Sequence, residues 1–355
     1  MKKFISLIFL LIVLGIYAFS KVSINVEHIE MSFPNSENLH GKTIPIDTAL
    51  FRYPYRYRVN ADRVIIEDLH GLDYYFHLFT YPDFRYLSSF GQRGQGPEEM
   101  LTVDDCRWDG NTFWGLDNIK SELVGWVFNE KRDRMVRKEQ VKLDKATFRA
   151  ISFVFYKDNT ILIPNYSGDT RFCEVDKNGR LMKKWGNIPT DKSDMLKNKP
   201  NVFGQGWASM IDFSLNNGVL VAATQLGEVL EVWNTKKNTY QILKGKMGEP
   251  KFEIYQNYAI PSGCRGYNDI QITKDAIYAI FAGDSFKDLI NNTRKGQYVP
   301  EGGKIVRVFS LEGKPLKEYK LDHSVSGIWV DEKLDIMWAL DVNSDEPIVK
   351  YALKK

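Results

Sequence analysis

Apolar and polar residues alternate along much of this chain in runs too short for most helices, with turn-forming residues between them. Residues 22–31 open the series: Val22, Ile24, Val26 and Ile29 are apolar with polar neighbours, the pattern of one half-buried strand. A loop rich in Pro, Asn, Ser and Gly follows (residues 33–46), so this strand has nothing local to pair with. The remaining strands fall into sets. The first is 55–59, 63–67, 75–81 and 85–90; the second is 105–108, 112–117, 122–128 and 135–143; the third is 151–156, 160–166, 171–175 and 181–185. After a polar segment (187–203) that reads as a long loop come 210–215, 219–225, 229–233 and 239–243. The fifth set is 266–273, 276–282, 304–310 and 315–321, and the last holds only three strands, 325–330, 335–342 and 347–353.

The sets match one another. In residues 171–181 and 306–316 an alternating strand runs into a turn with a glycine (Gly179, Gly313), a basic residue and a leucine (Leu181, Leu316), which is hairpin chemistry. Residues 229–238 are a looser copy with Asn in place of Gly. The second strands 219–223, 276–280 and 336–340 are unbroken apolar runs, as expected of strands covered on both faces. Four strands recurring about every 45–60 residues specify a β-propeller. The expected fold is therefore all-β: a six-bladed β-propeller over residues 21–355 with four-stranded antiparallel blades. Residues 22–31 are expected to supply the missing fourth strand of the last blade, closing the ring and removing an unpaired edge. Helical character is confined to 285–295, in a loop of the fifth set, where Phe286, Leu289 and Ile290 share a face.

Between the first and second sets lies the densest turn signal, Phe90 to Met100. Gly91, Gly94, Gly96 and Pro97 fit neither a helix nor a central strand and specify a wide structural turn. It is not read as a phosphate loop: Glu98, Glu99 and a strand follow it, where anion binding would need a helix N-terminus.

Composition is that of an ordinary folded chain, with 43% hydrophobic and 13% aromatic residues among 355. Two of the 48 basic side chains, Lys2 and Lys3, precede the apolar run Phe4 to Phe19, so beyond residue 20 there are 46 basic against 45 acidic side chains. This balance, with no basic stripe, gives nucleic-acid binding no support. The charged start, the apolar run and small residues at Ala18 and Ser20 read as a signal peptide over 1–20. Its alternative is an uncleaved N-terminal anchor, the one expected contact with a membrane. Either form exports the chain to the periplasm or cell envelope, and no Cys follows the run to carry a lipid. Cys106, Cys173 and Cys264, with no CxxC spacing, are expected as separate buried thiols.

Candidate chemistry is thin. His28, His40, His70, His77 and His323 have no metal-binding spacing, there is no GxSxG, and the paired acids Glu98–Glu99 and Asp104–Asp105 lack a calcium-loop pattern. No metal or cofactor is expected, and no catalytic residue is singled out. Most tryptophans fall on strands as packing residues. Trp207, in the loop Gly204–Trp207, is expected to expose a ring for stacking on a sugar or peptide.

Several stretches resemble the TolB-like and NHL-like six-bladed propellers of exported Gram-negative proteins. They are residues 91–99, Gly266-Tyr267-Asn268-Asp269-Ile270, residues 277–283, and 219–232 with its apolar run, glycine turn and apolar-Glu-apolar strand. The resemblance implies fold and export but no particular activity. The functional expectation is a non-catalytic binding module that presents channel-mouth loops to a protein, peptide or glycan of the cell envelope. The candidate ligand-binding residues are Arg93, Asp105, Trp207 and Asp269, in loops that lead into blades, with the long loops 187–203 and 283–303. The alternative is a lyase or hydrolase with acid–base groups from several blades at the channel mouth.

Overall fold

The structure, a computed structural model, describes residues 25–46 and 50–353. The expected leader and the first three residues of the expected N-terminal strand lie outside the described residues.

Six antiparallel sheets follow one another around a ring, each laid down in chain order from the axis outwards. Blade 1 is Pro54–Asn60, Arg63–Asp68, Tyr74–Thr80 and Tyr86–Gln92; blade 2 is Asp105–Asp109, Thr112–Asp117, Glu122–Asn129 and Arg134–Lys142. Blade 3 is Val154–Phe155, Ile161–Pro164, Phe172–Val175 and Leu181–Trp185; blade 4 is Ser209–Ser214, Val219–Thr224, Val229–Asn234 and Thr239–Lys244. Blade 5 is Tyr267–Ile272, Ala276–Phe281, Gly303–Ser310 and Pro315–Val325. Blade 6 is Gly327–Asp331, Ile336–Leu340 and Ile348–Ala352, completed by Lys42–Thr43.

What holds the blades face to face is one apolar core in each of the six gaps. Phe76 and Phe90 of blade 1 meet Phe113 and Trp126 of blade 2. Similar clusters join blades 2 and 3, 3 and 4, 4 and 5, and 5 and 6. The ring closes where Tyr57, Ile66 and Phe79 of blade 1 pack on Trp338 and Leu340 of blade 6. The second strands of blades 4 and 5 are buried at every position, which is why their sequence shows no alternation. Cys106, Cys173 and Cys264 are buried free thiols.

The last blade is closed by an N-terminal strand, but not by the one the pattern suggested. Asn25–Glu30 lies parallel to the outer strand of blade 4, with Ile29 opposite Leu243, and Met31 continues the pairing through its amide to the Lys244 carbonyl. Ser36–Leu39 then lies parallel to the outer strand of blade 5, Ser36 opposite Glu318. Only Lys42–Thr43 reaches blade 6, antiparallel to Lys350 and Val349, with the Ile44 amide donating to the Ile348 carbonyl at 2.9 Å. Alternation identifies a half-buried edge strand but says nothing about its partner; here Ile29 and Met31 are taken up by the core between blades 4 and 5.

The segment read as a long loop instead holds two short helices, Ser193–Asn198 and Pro200–Gly206, the second with Pro at its first turn, where a missing amide costs nothing. A hairpin, Phe252–Tyr255 and Tyr258–Pro261, also connects blades 4 and 5. The helix expected over 285–295 forms at Phe286–Arg294, with the Ser285 hydroxyl accepting from the Asp288 amide.

Candidate functional site

The inner strands bring charge to the axis in a regular way. Arg56 and Arg58 come from blade 1, Asp105 and Arg107 from blade 2, Asp212 from blade 4, and Asp269 and Gln271 from blade 5. An inner strand has no neighbour on its axial edge, so its amides need other acceptors. The carboxylates supply them from one blade to the next. Asp212 accepts from the Ile272 amide (2.7 Å), Asp269 from Ile328 (3.2 Å), and Asp105 from the Ser152 hydroxyl (2.7 Å) and the Phe153 amide (3.3 Å). Gln271 both accepts from the Val330 amide and donates to its carbonyl.

Three arginines bridge this ring of acceptors. Arg56 donates to Asp269 at 2.8 Å and lies 3.8 Å from Asp105 and 4.0 Å from Glu67. Arg58 donates to the Cys106 and Tyr57 carbonyls, each at 2.8 Å, and stands 3.5 Å from both Asp105 and Asp269. Arg107 crosses to blade 4, donating to Asp212 at 2.8 Å and to the Ile211 carbonyl. Burial alone would raise the pKa of Asp105, yet Arg107, Arg56 and Arg58 outweigh it and hold the group below its ordinary value. Glu67 is less well compensated: burial pushes its pKa up to about 7 against the pull of Arg56.

Above this network lies a cavity of about 300 Å³ to which every blade contributes, including Arg58, Arg107, Phe155, Asp212, Gln271 and Trp329. Val59, Trp108, Phe213 and Ile272 carry it to the end where the inner strands finish. Four aromatic side chains from four blades (Trp108, Phe155, Phe213, Trp329) thus surround a floor of guanidinium and carboxylate groups.

The residues singled out from sequence are not gathered there. Asp105 and Asp269 do face the axis, but they are 0% and 1% exposed, their oxygens committed to the bonds above and sealed under the cavity. They organise the floor and do not present themselves to a ligand. Trp207 is a correction. It caps the helix Pro200–Gly206, is 1% exposed, and packs among Ile188, Phe203, Val229 and Ile242. The glycines around it permit close packing of the helix, Gly206 lying against the Phe252 ring, and do not mark an exposed loop. Arg93 is exposed in the turn between blades 1 and 2, its guanidinium 5.5 Å over the Tyr75 ring and bonded to the Gly71 carbonyl, at the end away from the cavity.

In that turn Gly91 has φ +69°, and a Cβ there would stand 2.6 Å from the Phe76 ring. Gly94, Gly96 and Pro97 curl around Glu99, which accepts from the Gly96 amide at 2.8 Å, while Lys120 donates to the Gly96 carbonyl at 2.8 Å. Of the paired acids, Asp104 is bonded to Thr102 and Asn118, and no group of side chains among the described residues could hold a metal ion.

Sequence reasoning missed Arg56, Arg58, Arg107, Asp212, Gln271 and the aromatic collar. A signal for them was present: Arg56-x-Arg58, Asp105-x-Arg107 and Asp269-x-Gln271 place polar residues two apart in first strands that are otherwise largely apolar.

Comparison with known proteins agrees with this architecture. Among solved structures, a protein from Bacteroides fragilis NCTC 9343 superposes with a TM-score of 0.58 at 10% identity, covering 93% of this chain and 100% of its own. An auxiliary nutrient binding protein from Bacteroides ovatus ATCC 8483 gives 0.53 at 10% identity, covering 86% of this chain and 70% of its own. The WD40 repeats of RRP9 give 0.51 at 9%, covering 91% and 99%. At such identities the likeness speaks to the fold alone. A search of curated protein sequences finds no match. A family model described as TolB-like 6-blade propeller-like matches residues 32–333, from just before Ser36–Leu39 through blades 1 to 5 to the first strand of blade 6, and the chain belongs to that TolB-like six-bladed propeller family.

Proposed function

We propose that this protein is an exported, non-catalytic binding module whose ligand site is the axial cavity at the end where the inner strands finish. The observation that carries this reading is the cavity itself, built by all six blades with aromatic walls over a rigid polar floor. Concave, partly apolar sites with a few fixed polar groups are the usual form of a small-ligand site, and about 300 Å³ is at the lower end of their size range. Export rests on the N-terminal leader pattern, and a solute-, peptide- or glycan-binding role in the envelope fits a family fold that also occurs in a structure described as a nutrient binding protein.

Catalysis is less well supported. Acid–base chemistry needs a carboxyl or imidazole with a free lone pair at the surface and a pKa near the working pH. Asp105 and Asp269 are buried and bonded within the floor, Asp212 is held in an ion pair with Arg107, and Glu67, whose pKa does lie near 7, is fully buried.

The reading is tested by filling the mouth. Thermal melts of the wild type and Ser214→Trp, each with a panel of small solutes, peptides and oligosaccharides, should show ligands that stabilise the first and not the second. Ligands that stabilise both proteins equally would place the binding site elsewhere.

A further inference from the structure

The walls and floor of the cavity also discriminate between kinds of ligand. Resting on the axial-site reading above, we propose that the cavity takes the end of a neutral saccharide, with a pyranose ring stacked on the aromatic collar and adjacent hydroxyls shared between Asp212 and Arg107.

Charge is the first consideration. Arg58, Arg107 and Asp212 line the cavity, and Arg56, Asp105 and Asp269 lie directly beneath. Three guanidiniums face Asp105, Asp212 and Asp269 within a single bonded network, with Glu67 buried 4.0 Å from Arg56, so the charges lining the mouth and directly beneath it cancel. An anionic ligand would have to draw Arg107 away from Asp212, leaving a partly buried carboxylate without its counter-charge. A cation would make the converse demand on Arg107. A neutral polar ligand disturbs neither pair.

Hydrogen-bonding capacity is the second. Each Asp212 oxygen is used once, Oδ1 by Arg107 and Oδ2 by the Ile272 amide, and a carboxylate oxygen has room for a second donor. Arg107 lines the cavity too, and its Nη1, used once by Asp212, keeps a second N–H. A free acceptor beside an unused donor suits a pair of adjacent hydroxyls, one donating to Asp212 and its neighbour accepting from Arg107.

Shape is the third. The C–H face of a sugar ring is apolar and flat enough to lie on an aromatic face, and Trp108, Phe155, Phe213 and Trp329 present partly exposed rings around the cavity. The floor is sealed by the Arg56–Asp269 pair, so nothing threads through the ring; a chain can enter only by its end.

The test is isothermal titration of the purified protein with neutral tetrasaccharides (malto-, xylo-, manno- and N-acetylchito-series), tetragalacturonate and an unblocked tetra-alanine peptide. The expected result is binding of at least one neutral series, weakened tenfold or more by Trp329→Ala and largely restored by Trp329→Phe. Binding of tetragalacturonate or the peptide alone, abolished by Trp329→Ala, would overturn the ligand class while leaving the axial site standing. Binding of a neutral saccharide that Trp329→Ala and Ser214→Trp leave unchanged would overturn the site as well. Failure of all four neutral series to bind would overturn the saccharide assignment.

Discussion

Arg56 of blade 1 and Asp269 of blade 5 meet across the axis at 2.8 Å, each only 1% exposed. The bond joins blades that are not neighbours in the ring, so it braces the axis as well as filling it. A buried charge that loses its partner is costly, whereas removing both charges together is much less so. Asp269→Ala, which also takes a counter-charge from Arg58, should lower unfolding free energy by roughly 3–5 kcal/mol. The double replacement Arg56→Met with Asp269→Leu should cost clearly less. Urea unfolding of the three proteins decides it; equal losses in the single and double variants would show that the pair is not coupled.

Glu67 gives a pH dependence of stability with a definite sign. Its folded pKa of about 7 lies above the ordinary value of 4.5, so between those values the folded protein holds a proton that the unfolded chain has released. Stability from this group is full below pH 4.5, falls as pH rises towards 7, and is flat beyond. Glu67→Gln should flatten that window and be the more stable protein at pH 8, by an amount on the order of 3 kcal/mol at most. Denaturation midpoints measured from pH 4 to 8 would show the two curves converging at the acid end.

Gly41 sits beside the clasp that closes the ring. A Cβ there would stand 2.3 Å from Val349 and 3.0 Å from Tyr351, and the Gly41 amide is held by Asp322. Gly41→Val should therefore force Lys42–Thr43 off blade 6 and cost about 1–3 kcal/mol, the usual range for overpacking. Hydrogen exchange should show faster exchange at the Ile44 amide, which bonds to Ile348, and no change at Ile29 on blade 4.

The two loop-side and mouth-side tryptophans should separate. Trp207→Ala empties a closed cluster and should destabilise by about 3–5 kcal/mol, while Trp329→Ala, partly exposed at the cavity, should cost markedly less. Thermal melts of both variants check this; the reverse order would mean that the mouth and not the helix cluster is the tighter packing.

How much of this was legible depends on what each signal encodes. The blades were legible because a strand with one covered face alternates, a doubly covered strand does not, and turns between them carry Gly or Asn; the structure places its strands within a few residues of that pattern. The route of the N-terminus was not, since Asn25–Glu30 and Ser36–Leu39 could each satisfy any free edge, and Lys42–Thr43 is too short to have a period at all. Trp207 was misplaced because Gly204 and Gly206 resemble a flexible loop, although Gly206 is small in order to admit Phe252. At the site, Asp105 and Asp269 were singled out as residues of loops leading into blades; both stand instead on first strands, and their burial follows from five other strands converging on one line, which no local pattern contains.

Because Lys42–Thr43 belongs to the same sheet as Ile348–Ala352, the protein cannot complete its ring until two segments from opposite ends of the propeller have met. Blades 1 to 5 can each assemble from local hairpins, yet the gap between first and last stays open until that meeting, with Tyr57, Phe79 and Trp338 facing water. An early segment must stay at hand until the final strand arrives, and its lodging along blades 4 and 5 carries it around the rim to that meeting point.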